Sequence, residues 1–193
     1  TPDAGEIEVG GQTYRALSPR EAQSNGVRMI FQEFQDADTL SVAENIMLGR
    51  LPHRMGLVRR SEMQRRAREV LDRMGIDLDV RALVGSLRVG ERQIVEIARA
   101  LSADARLLIL DEPTAALSQQ ETDRLFVFLR RLRERGTAII YITHRLDEVM
   151  AISDHVMVLR DGTVAASGAT GEVGPIRATT AAANIPRAMA TER

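Results

Sequence analysis

The sequence predicts an α/β protein with a mostly parallel sheet and an inserted region of helices. After Gly85, short apolar segments of strand length alternate with amphipathic segments of helical period. Strands that are separated by helices pair in parallel through right-handed crossovers, which favours a layered α/β sheet. Between about 41 and 85 the pattern is helical, and 193 residues are enough to bury one core of ordinary size.

Composition and charge exclude several functional classes. The net charge of -1 and the isoelectric point near 6.3 give no basic field, so no nucleic-acid partner is expected. Cysteine is absent, which excludes disulfides and thiolate chemistry. All 26 basic residues are arginine, so mechanisms that need a lysine are excluded for these residues. We expect a water-soluble chain, because no apolar run approaches the roughly 18 residues of a membrane-spanning helix.

The first elements are short. Residues 6–14 have the pattern of a hairpin around a Gly-Gly pair, and Ser18 followed by Pro19 is typical of a helix N-terminus. A strand is predicted from Val27 to Phe31.

The helical region begins with a capping box made by Ser41 and Glu44. A longer helix is predicted over 61–74, and Gly75 ends it. Its buried stripe is expected to consist of Met63, Ala67, Val70, Leu71 and Met74. The opposite face is dense in Arg and Glu, which we interpret as a solvated face rather than a partner surface.

The second half of the chain carries the alternating elements. Their predicted order is helix 91–101, strand 107–110, helix 119–133, strand 137–142, helix 146–151 and strand 155–159. Asp161 and Gly162 predict a tight turn into a strand over 163–166. Residues 169–193 have weak periodicity and many small side chains, so we expect a disordered or divergent tail.

Two adjacent carboxylates stand at the end of the apolar strand Leu107–Leu110. Asp111 and Glu112 follow this strand directly, and Pro113 ends it. Ligands of parallel sheets bind outside the carboxyl ends of the strands. One carboxylate there can hold a hydrated Mg²⁺, while the other can orient or deprotonate a water that attacks a phosphoryl group. The alternative is a polar strand-to-helix turn without chemistry.

Two further polar residues follow predicted strands. His144 comes just after the strand 137–142, where it would lie beside the carboxylates and could donate to a phosphate. Gln32 follows the strand that ends at Phe31, and its amide could ligate a metal or hold a water. His53 and His155 lack such a setting and are interpreted as structural.

Four motifs resemble those of ATP-binding cassette (ABC) ATPases, in the same order. They are "MIFQEF", "LRVGERQIVEIARAL", "LLILDEPTAALS" and "IIYITHRLDEV", which resemble the Q-loop, the signature, Walker B with the D-loop, and the H-loop. The resemblance covers about residues 1–168, interpreted as one partial ATP-binding domain. "TLSVAENIMLGR" and "HRLDEV" are similar to the first cassette of bacterial importers for ribose, galactose, xylose and related monosaccharides.

The resemblance implies a P-loop NTPase-like core and a role for each candidate residue. Asp111 would hold the Mg²⁺ of MgATP, and Glu112 would be the general base. His144 would contact the γ-phosphate, while Gln32 would ligate Mg²⁺ and sense the γ-phosphate. The signature residues would cap ATP on an opposing cassette: Leu87, Arg88, Val89, Gly90, Glu91, Arg92 and Gln93.

The resemblance also implies partners and a location. The D-loop, Ala115–Ser118, would cross between the two cassettes, and the helical region 41–85 would dock on a membrane-spanning permease. A sugar-binding protein outside the membrane would take part indirectly, and it would choose the sugar together with the permease. The chain would work in the cytoplasm, on the inner face of the cell membrane.

Two departures from the family pattern leave alternatives open. The glycine-rich loop with its lysine, together with its strand and helix, is missing upstream of the Q-loop, so we expect weak ATP binding by these residues alone. Arg88 stands where the family has a serine, which either impairs the contact to ATP across the dimer or is tolerated. The chain is therefore an ATPase subunit or fragment that energises monosaccharide import, or else a non-catalytic remnant that docks on the permease.

Overall fold

A computed structural model describes residues 4–16, 18–30, 36–103, 105–171 and 181–185, the last segment by its backbone. The chain divides into two compact units. The sheet unit consists of Thr1–Met29, Asp104–Asp111 and Leu132–Arg193, and the helical unit consists of Ile30–Ala103 and Glu112–Arg131. Within the described segments, none of the helices has the length and apolarity needed to cross a membrane.

The secondary structure follows the predicted alternation closely. In chain order the elements are β1 (Ile7–Val9), β2 (Gln12–Tyr14), α1 (Pro19–Ser24), β3 (Val27–Ile30), α2 (Val42–Ile46), β4 (His53–Arg54), β5 (Leu57–Val58), α3 (Arg60–Met74), α4 (Val89–Leu101), β6 (Leu107–Asp111), α5 (Gln119–Glu134), β7 (Ala138–Thr143), α6 (Leu146–Ile152), β8 (His155–Arg160), β9 (Thr163–Ala169) and β10 (Ala181–Ile185).

The main sheet has six strands in the order β3-β6-β7-β10-β8-β9. Strands β6 and β7 run parallel, as predicted, with Leu108 opposite Ile139 and Asp111 opposite Ile142. Strand β10 pairs antiparallel with both of its neighbours, and β8 pairs antiparallel with β9 through the predicted turn. The parallel core is therefore joined by antiparallel strands.

Strand β10 differs from the expectation of a disordered or divergent tail. Its residues, Ala181–Ile185, are three alanines, an asparagine and an isoleucine. Alanine and asparagine are poor strand formers, so the sequence gives no strand signal here. The backbone nevertheless pairs with β7 on one side and with β8 on the other.

A close backbone approach sets β3 beside β6. The N–H of Arg106 donates to the carbonyl of Gly26 at 2.9 Å. Gly26 has a positive φ of 81°, and a Cβ on it would lie 3.1 Å from the Arg106 side chain. The positive φ and the tight space both favour glycine just before this strand.

The helical unit packs α2, α3 and α4 around one apolar core. All five residues of the predicted α3 stripe are buried: Met63, Ala67, Val70, Leu71 and Met74. Helix α4 buries Ile94, Ile97 and Ala98, which lie on one face at helical spacing. Gly75 ends α3 in the left-handed conformation, with a φ of 71°.

One part of the helical region is not helical. Residues 53–58 form a small hairpin in which His53 pairs with Val58 and Arg54 with Leu57. Met55 and Gly56 make its turn with positive φ values of 51° and 80°. The hairpin interrupts the predicted helical pattern at this point, because two successive left-handed residues close a tight β-turn.

Serine capping boxes begin the helices α1, α2 and α5. Ser18, Ser41 and Ser118 each exchange hydrogen bonds with a glutamate three residues later: Glu21, Glu44 and Glu121. The serine hydrogen bonds lower the pKa of all three glutamates below its usual value. The predicted capping box of Ser41 and Glu44 is confirmed.

A fully buried asparagine holds the loop before α2. Asn45 accepts a hydrogen bond from the N–H of Ala37 at 2.8 Å and donates to the carbonyls of Ala37, Leu40 and Ser41. The three carbonyls also accept backbone N–H groups, from Leu40, Val84 and Asn45 itself, so the side chain adds a second bond to each and accepts the N–H of Ala37.

We predict that Asn45→Ala lowers the free energy of unfolding by about 2–3 kcal/mol, because it removes four hydrogen bonds and leaves the N–H of Ala37 without its acceptor. Asn25→Ala is the matched control. The Asn25 amide donates a single bond to Glu21 at the solvent-exposed end of α1, so it should cost at most about 1 kcal/mol. Equilibrium urea denaturation measures both values, and equal losses would contradict the role of Asn45.

Candidate nucleotide-binding site

Two candidate residues lie at one edge of the sheet unit. Asp111 is the last residue of β6 and is half-buried. It lies opposite Ile142 in the parallel strand β7, and the exposed His144 follows two residues later. Both residues therefore stand at the carboxyl ends of neighbouring parallel strands, which is where such sheets bind ligands.

A buried glutamate fixes the backbone on both sides of His144. The side chain of Glu148 is 2% exposed; its Oε2 accepts hydrogen bonds from Tyr141 at 2.8 Å and Thr143 at 3.0 Å. Its Oε1 forms an ion pair with Arg145 at 2.9 Å. The N–H of Arg145 donates to the Thr143 hydroxyl at 3.0 Å. This network positions His144 but was not predicted, although a tyrosine in an otherwise apolar strand signals a buried polar partner.

Glu112 has an unusual backbone conformation. Its φ is +45°, in the left-handed region that non-glycine residues rarely occupy. Its carbonyl accepts the N–H of Ala115 at 3.2 Å, which closes a turn over the buried Pro113 and Thr114. Such conformations concentrate at functional sites because the surrounding structure has to hold them.

The predicted signature residues form the start of α4 in the helical unit. Arg88 is the N-cap residue, its side chain is exposed, and its N–H donates to the Glu91 side chain at 2.8 Å. The helix then runs for 13 residues from Val89. The first-turn N–H groups and the helix dipole favour an anion at this end.

The signature and the D-loop contact each other within the helical unit. A Cβ on Gly90 would lie 2.8 Å from the carbonyl oxygen of Ala116, closer than real side chains come to backbone. Glycine is therefore the residue that lets α4 approach the segment Ala115–Ser118. The sequence predicted both segments, but their contact carries no local sequence signal.

Two members of the predicted signature set point inward. The guanidinium of Arg92 makes paired hydrogen bonds to Asp36 at 2.9 and 2.7 Å and a third to Asp38 at 2.7 Å. These contacts raise the pKa of Arg92 above its usual value, chiefly through the bonds to Asp36. Gln93 is 6% exposed. Arg92 thus anchors α4 to residues 36–38. The exposed residues of the predicted signature are therefore those near Arg88.

Gln32 lies outside the described residues, and its predicted contacts with Mg²⁺ and phosphate stay a prediction. In the described part of the chain, no three His, Asp or Glu side chains gather into a metal-binding cluster. Mg²⁺ commonly takes one or two carboxylates together with water and substrate phosphates. The carboxylate of Asp111 fits that donor set.

We predict that Arg92→Met lowers the free energy of unfolding by about 3–5 kcal/mol, because the Asp36 carboxylate, 2% exposed, loses its cation. The control is Arg65→Met, which breaks the surface pair with Glu69, whose side chains are 60% and 54% exposed. That change should cost less than about 1 kcal/mol. A similar loss in both variants, measured by urea denaturation, would refute a structural role for Arg92.

We predict that Arg88→Ser raises the free energy of unfolding by about 1 kcal/mol. A serine hydroxyl at this N-cap would accept the N–H of Glu91, completing a box like those of α1, α2 and α5. Ser118→Ala should lower the free energy of unfolding by a similar amount, because it removes the corresponding hydroxyl from the N-cap of α5.

A pH series separates the cap from other effects of these changes. The lowered pKa of Glu121 stabilises the fold fully above the usual glutamate pKa of about 4.3 and ceases to do so as the pH falls through the lower folded pKa. Ser118→Ala should therefore lose part of this acid dependence. An Arg88→Ser variant no more stable than the parent would contradict the capping argument.

The chain is similar to ribose import ATP-binding proteins. It is 52% identical over 161 residues to "Ribose import ATP-binding protein RbsA 1" of Rubrobacter xylanophilus, covering 83% of this chain and 32% of that protein. It is 50% identical over 162 residues to "Ribose import ATP-binding protein RbsA 2" of Escherichia coli O157:H7, covering 84% of this chain and 32% of that protein. The chain thus spans about a third of the length of these relatives.

The fold is also that of solved ATP-binding cassettes. The dimeric post-hydrolysis structure of the cassette MJ0796 bound to ADP and Pi superposes with a TM-score of 0.75 and 24% identity, covering 88% of this chain and 75% of that one. The family model described as "ABC transporter" matches residues 1–115. With four motifs in order, the cassette fold and this match over more than half of its length, the chain belongs to the ABC transporter family.

Proposed function

We propose that the chain is part of an ATP-binding and ATP-hydrolysing protein that energises import of a monosaccharide. The main observation behind this proposal is the register of β6 and β7. Because Asp111 lies opposite Ile142, Asp111 and His144 lie at the same edge of the sheet. The similarity to proteins named for ribose import favours ribose or a related sugar. The permease and the binding protein would make the final choice of sugar.

Asp111 would hold the Mg²⁺ of MgATP, together with Gln32. The bound ion would neutralise charge on the phosphates. Asp111 suits this task because its carboxylate is a hard oxygen donor that ends a buried strand. The lysine that cradles the phosphates in this family would come from outside these residues, because the 193 residues contain none.

Glu112 would act as the general base, and His144 as a donor to the γ-phosphate. A carboxylate can accept a proton from the attacking water as the water approaches phosphorus. The imidazole of His144 can donate to a phosphate oxygen, and the Glu148 network keeps the backbone around it fixed. The left-handed backbone of Glu112 aims its side chain differently from that of a strand residue.

The exposed start of α4 would act on ATP held by a second cassette. Its N-terminal amides favour a phosphate, and Arg88 adds a positive charge where the family has a serine hydroxyl. The D-loop would move with this surface, because Gly90 and the Ala116 carbonyl are in close contact. A second cassette, in the same or another chain, is therefore a partner in this proposal.

The remaining partners follow from the transport role. The helical region would dock on membrane-spanning permease subunits at the cytoplasmic face of the membrane. A sugar-binding protein on the other side would deliver the substrate. A non-catalytic docking module is the alternative, and no contact in the described residues favours it over the catalytic role.

We predict that Glu112→Gln lowers kcat for ATP hydrolysis at least about 100-fold, with little change in ATP binding, because the amide cannot accept the proton of water. Hydrolysis is measured in the whole ATP-binding protein that carries these residues, assembled with its permease. The control is Glu134→Gln at the exposed end of α5.

The two functions give opposite results in this assay. A catalytic cassette loses hydrolysis and sugar uptake with Glu112→Gln and keeps both with Glu134→Gln. Hydrolysis that is unaffected by Glu112→Gln would refute the proposed base. Sugar uptake that persists without hydrolysis by this cassette would favour the docking module.

A further inference from the structure

The hairpin β4–β5 presents an apolar tip to solvent. Met55 is 91% exposed, Leu57 is 76% exposed and Val58 is 44% exposed. They are the three apolar side chains of residues 53–58, and none of them contributes to the buried core. Large apolar side chains that are exposed close together in the sequence are typical of an interaction site.

The turn itself does not explain a methionine at this tip. A second hairpin, β8–β9, turns through Asp161 and Gly162 with φ values of 51° and 75°, nearly the same as those of Met55 and Gly56. Left-handed turn positions favour Asp, Asn and Gly, which adopt positive φ more easily or hydrogen-bond locally. Methionine has neither advantage, so Met55 points to a contact outside the hairpin.

Arginine predominates among the charged residues of the hairpin segment. The segment from Arg50 to Arg60 contains four arginines and neither aspartate nor glutamate. Arg50 is bonded to the carbonyl of Arg99 and to Ser102, and Arg59 pairs with Glu62. Arg54 and Arg60 are exposed before and after the apolar residues in the sequence, and the charge of Arg60 also acts on Glu44 in α2.

We infer that this hairpin binds the surface of an anionic phospholipid bilayer. Its apolar tip would enter the interface between headgroups and acyl chains, while Arg54 and Arg60 would contact lipid phosphates. The phosphates of an anionic bilayer complement these arginines, and its acyl chains accept the apolar tip. An anionic lipid surface therefore matches both parts of the hairpin.

This inference rests on the proposed location at the cytoplasmic face of the membrane, but not on catalysis. The hairpin lies in the helical unit, in the region that was predicted to face the permease. Lipid contact there would hold the protein close to its permease by reducing the space it has to search.

Flotation of the purified chain with lipid vesicles tests the inference. The probes are phosphatidylcholine vesicles with and without about one third phosphatidylglycerol, a lipid of negative charge. The chain should bind the anionic vesicles preferentially, and the binding should weaken as salt is raised. Met55→Asp should reduce binding at least about tenfold, since it replaces an apolar anchor by a negative charge.

The second hairpin provides the matched control. Val164, in β9, is 57% exposed, and Val164→Asp should leave vesicle binding unchanged. Aspartate is favourable at left-handed positions, so Met55→Asp should keep the fold, which thermal unfolding checks. Arg54→Gln with Arg60→Gln should remove the preference for anionic over neutral vesicles.

Several results would overturn the inference. They are equal binding to neutral and anionic vesicles, or equal effects of Met55→Asp and Val164→Asp. A photocrosslinker at Leu57 that labels the permease rather than lipid in native membranes would assign the hairpin to a protein partner. ATP hydrolysis by the detergent-solubilised protein should not change in Met55→Asp, so a failed lipid assay leaves the proposed ATPase function intact.

Discussion

The parallel register of β6 and β7 determines where the sheet-edge residues stand. Asp111 faces Ile142 across the ladder, so the residue two places beyond Ile142 leaves the sheet at the same edge. A slip of one residue in β6 would turn Leu108 and Leu110 away from the buried face and Asp111 toward it, because side chains alternate along a strand. The alternating burial of Leu108 and Leu110 fixes this register on one side, and Ile139 and Tyr141 fix it on the other. The chemistry of the edge is therefore specified by the apolar core beneath it.

Polar networks then complete what the apolar register begins. The buried carboxylate of Glu148 fastens the backbone around His144, and the buried Asp36 fastens α4 through Arg92. Both carboxylates are buried beside an arginine, so each depends on its partner for its charge to be tolerated. In each unit, an ion pair between an arginine and a buried carboxylate thus fixes a segment that contains a candidate site residue. The exposed residues, His144 and Arg88, stand next to these anchored positions.

Much of this fold could be predicted because its signals are local. The apolar stripe from Met63 to Met74 repeats at helical spacing, and the capping box joins Ser41 to a glutamate only three residues later. The apolar run before Asp111 has the length of a strand. Strand β10 could not be predicted, because its alanines gain their order from two neighbouring strands rather than from their own propensity. The candidate residues were found from their places after strands, whereas the contacts of Arg92 and Gly90 join residues distant in sequence and have no periodic signal.

The contact between Gly90 and Ala116 is asymmetric in its chemistry. Gly90 contributes the absence of a side chain, whereas Ala116 contributes a backbone carbonyl that every amino acid possesses. In terms of sequence variation, the first position is closed to all other residues while the second is constrained only by its surroundings. Two segments that meet in this way can diverge in composition and still stay in contact, provided that position 90 keeps a hydrogen atom where a Cβ would be.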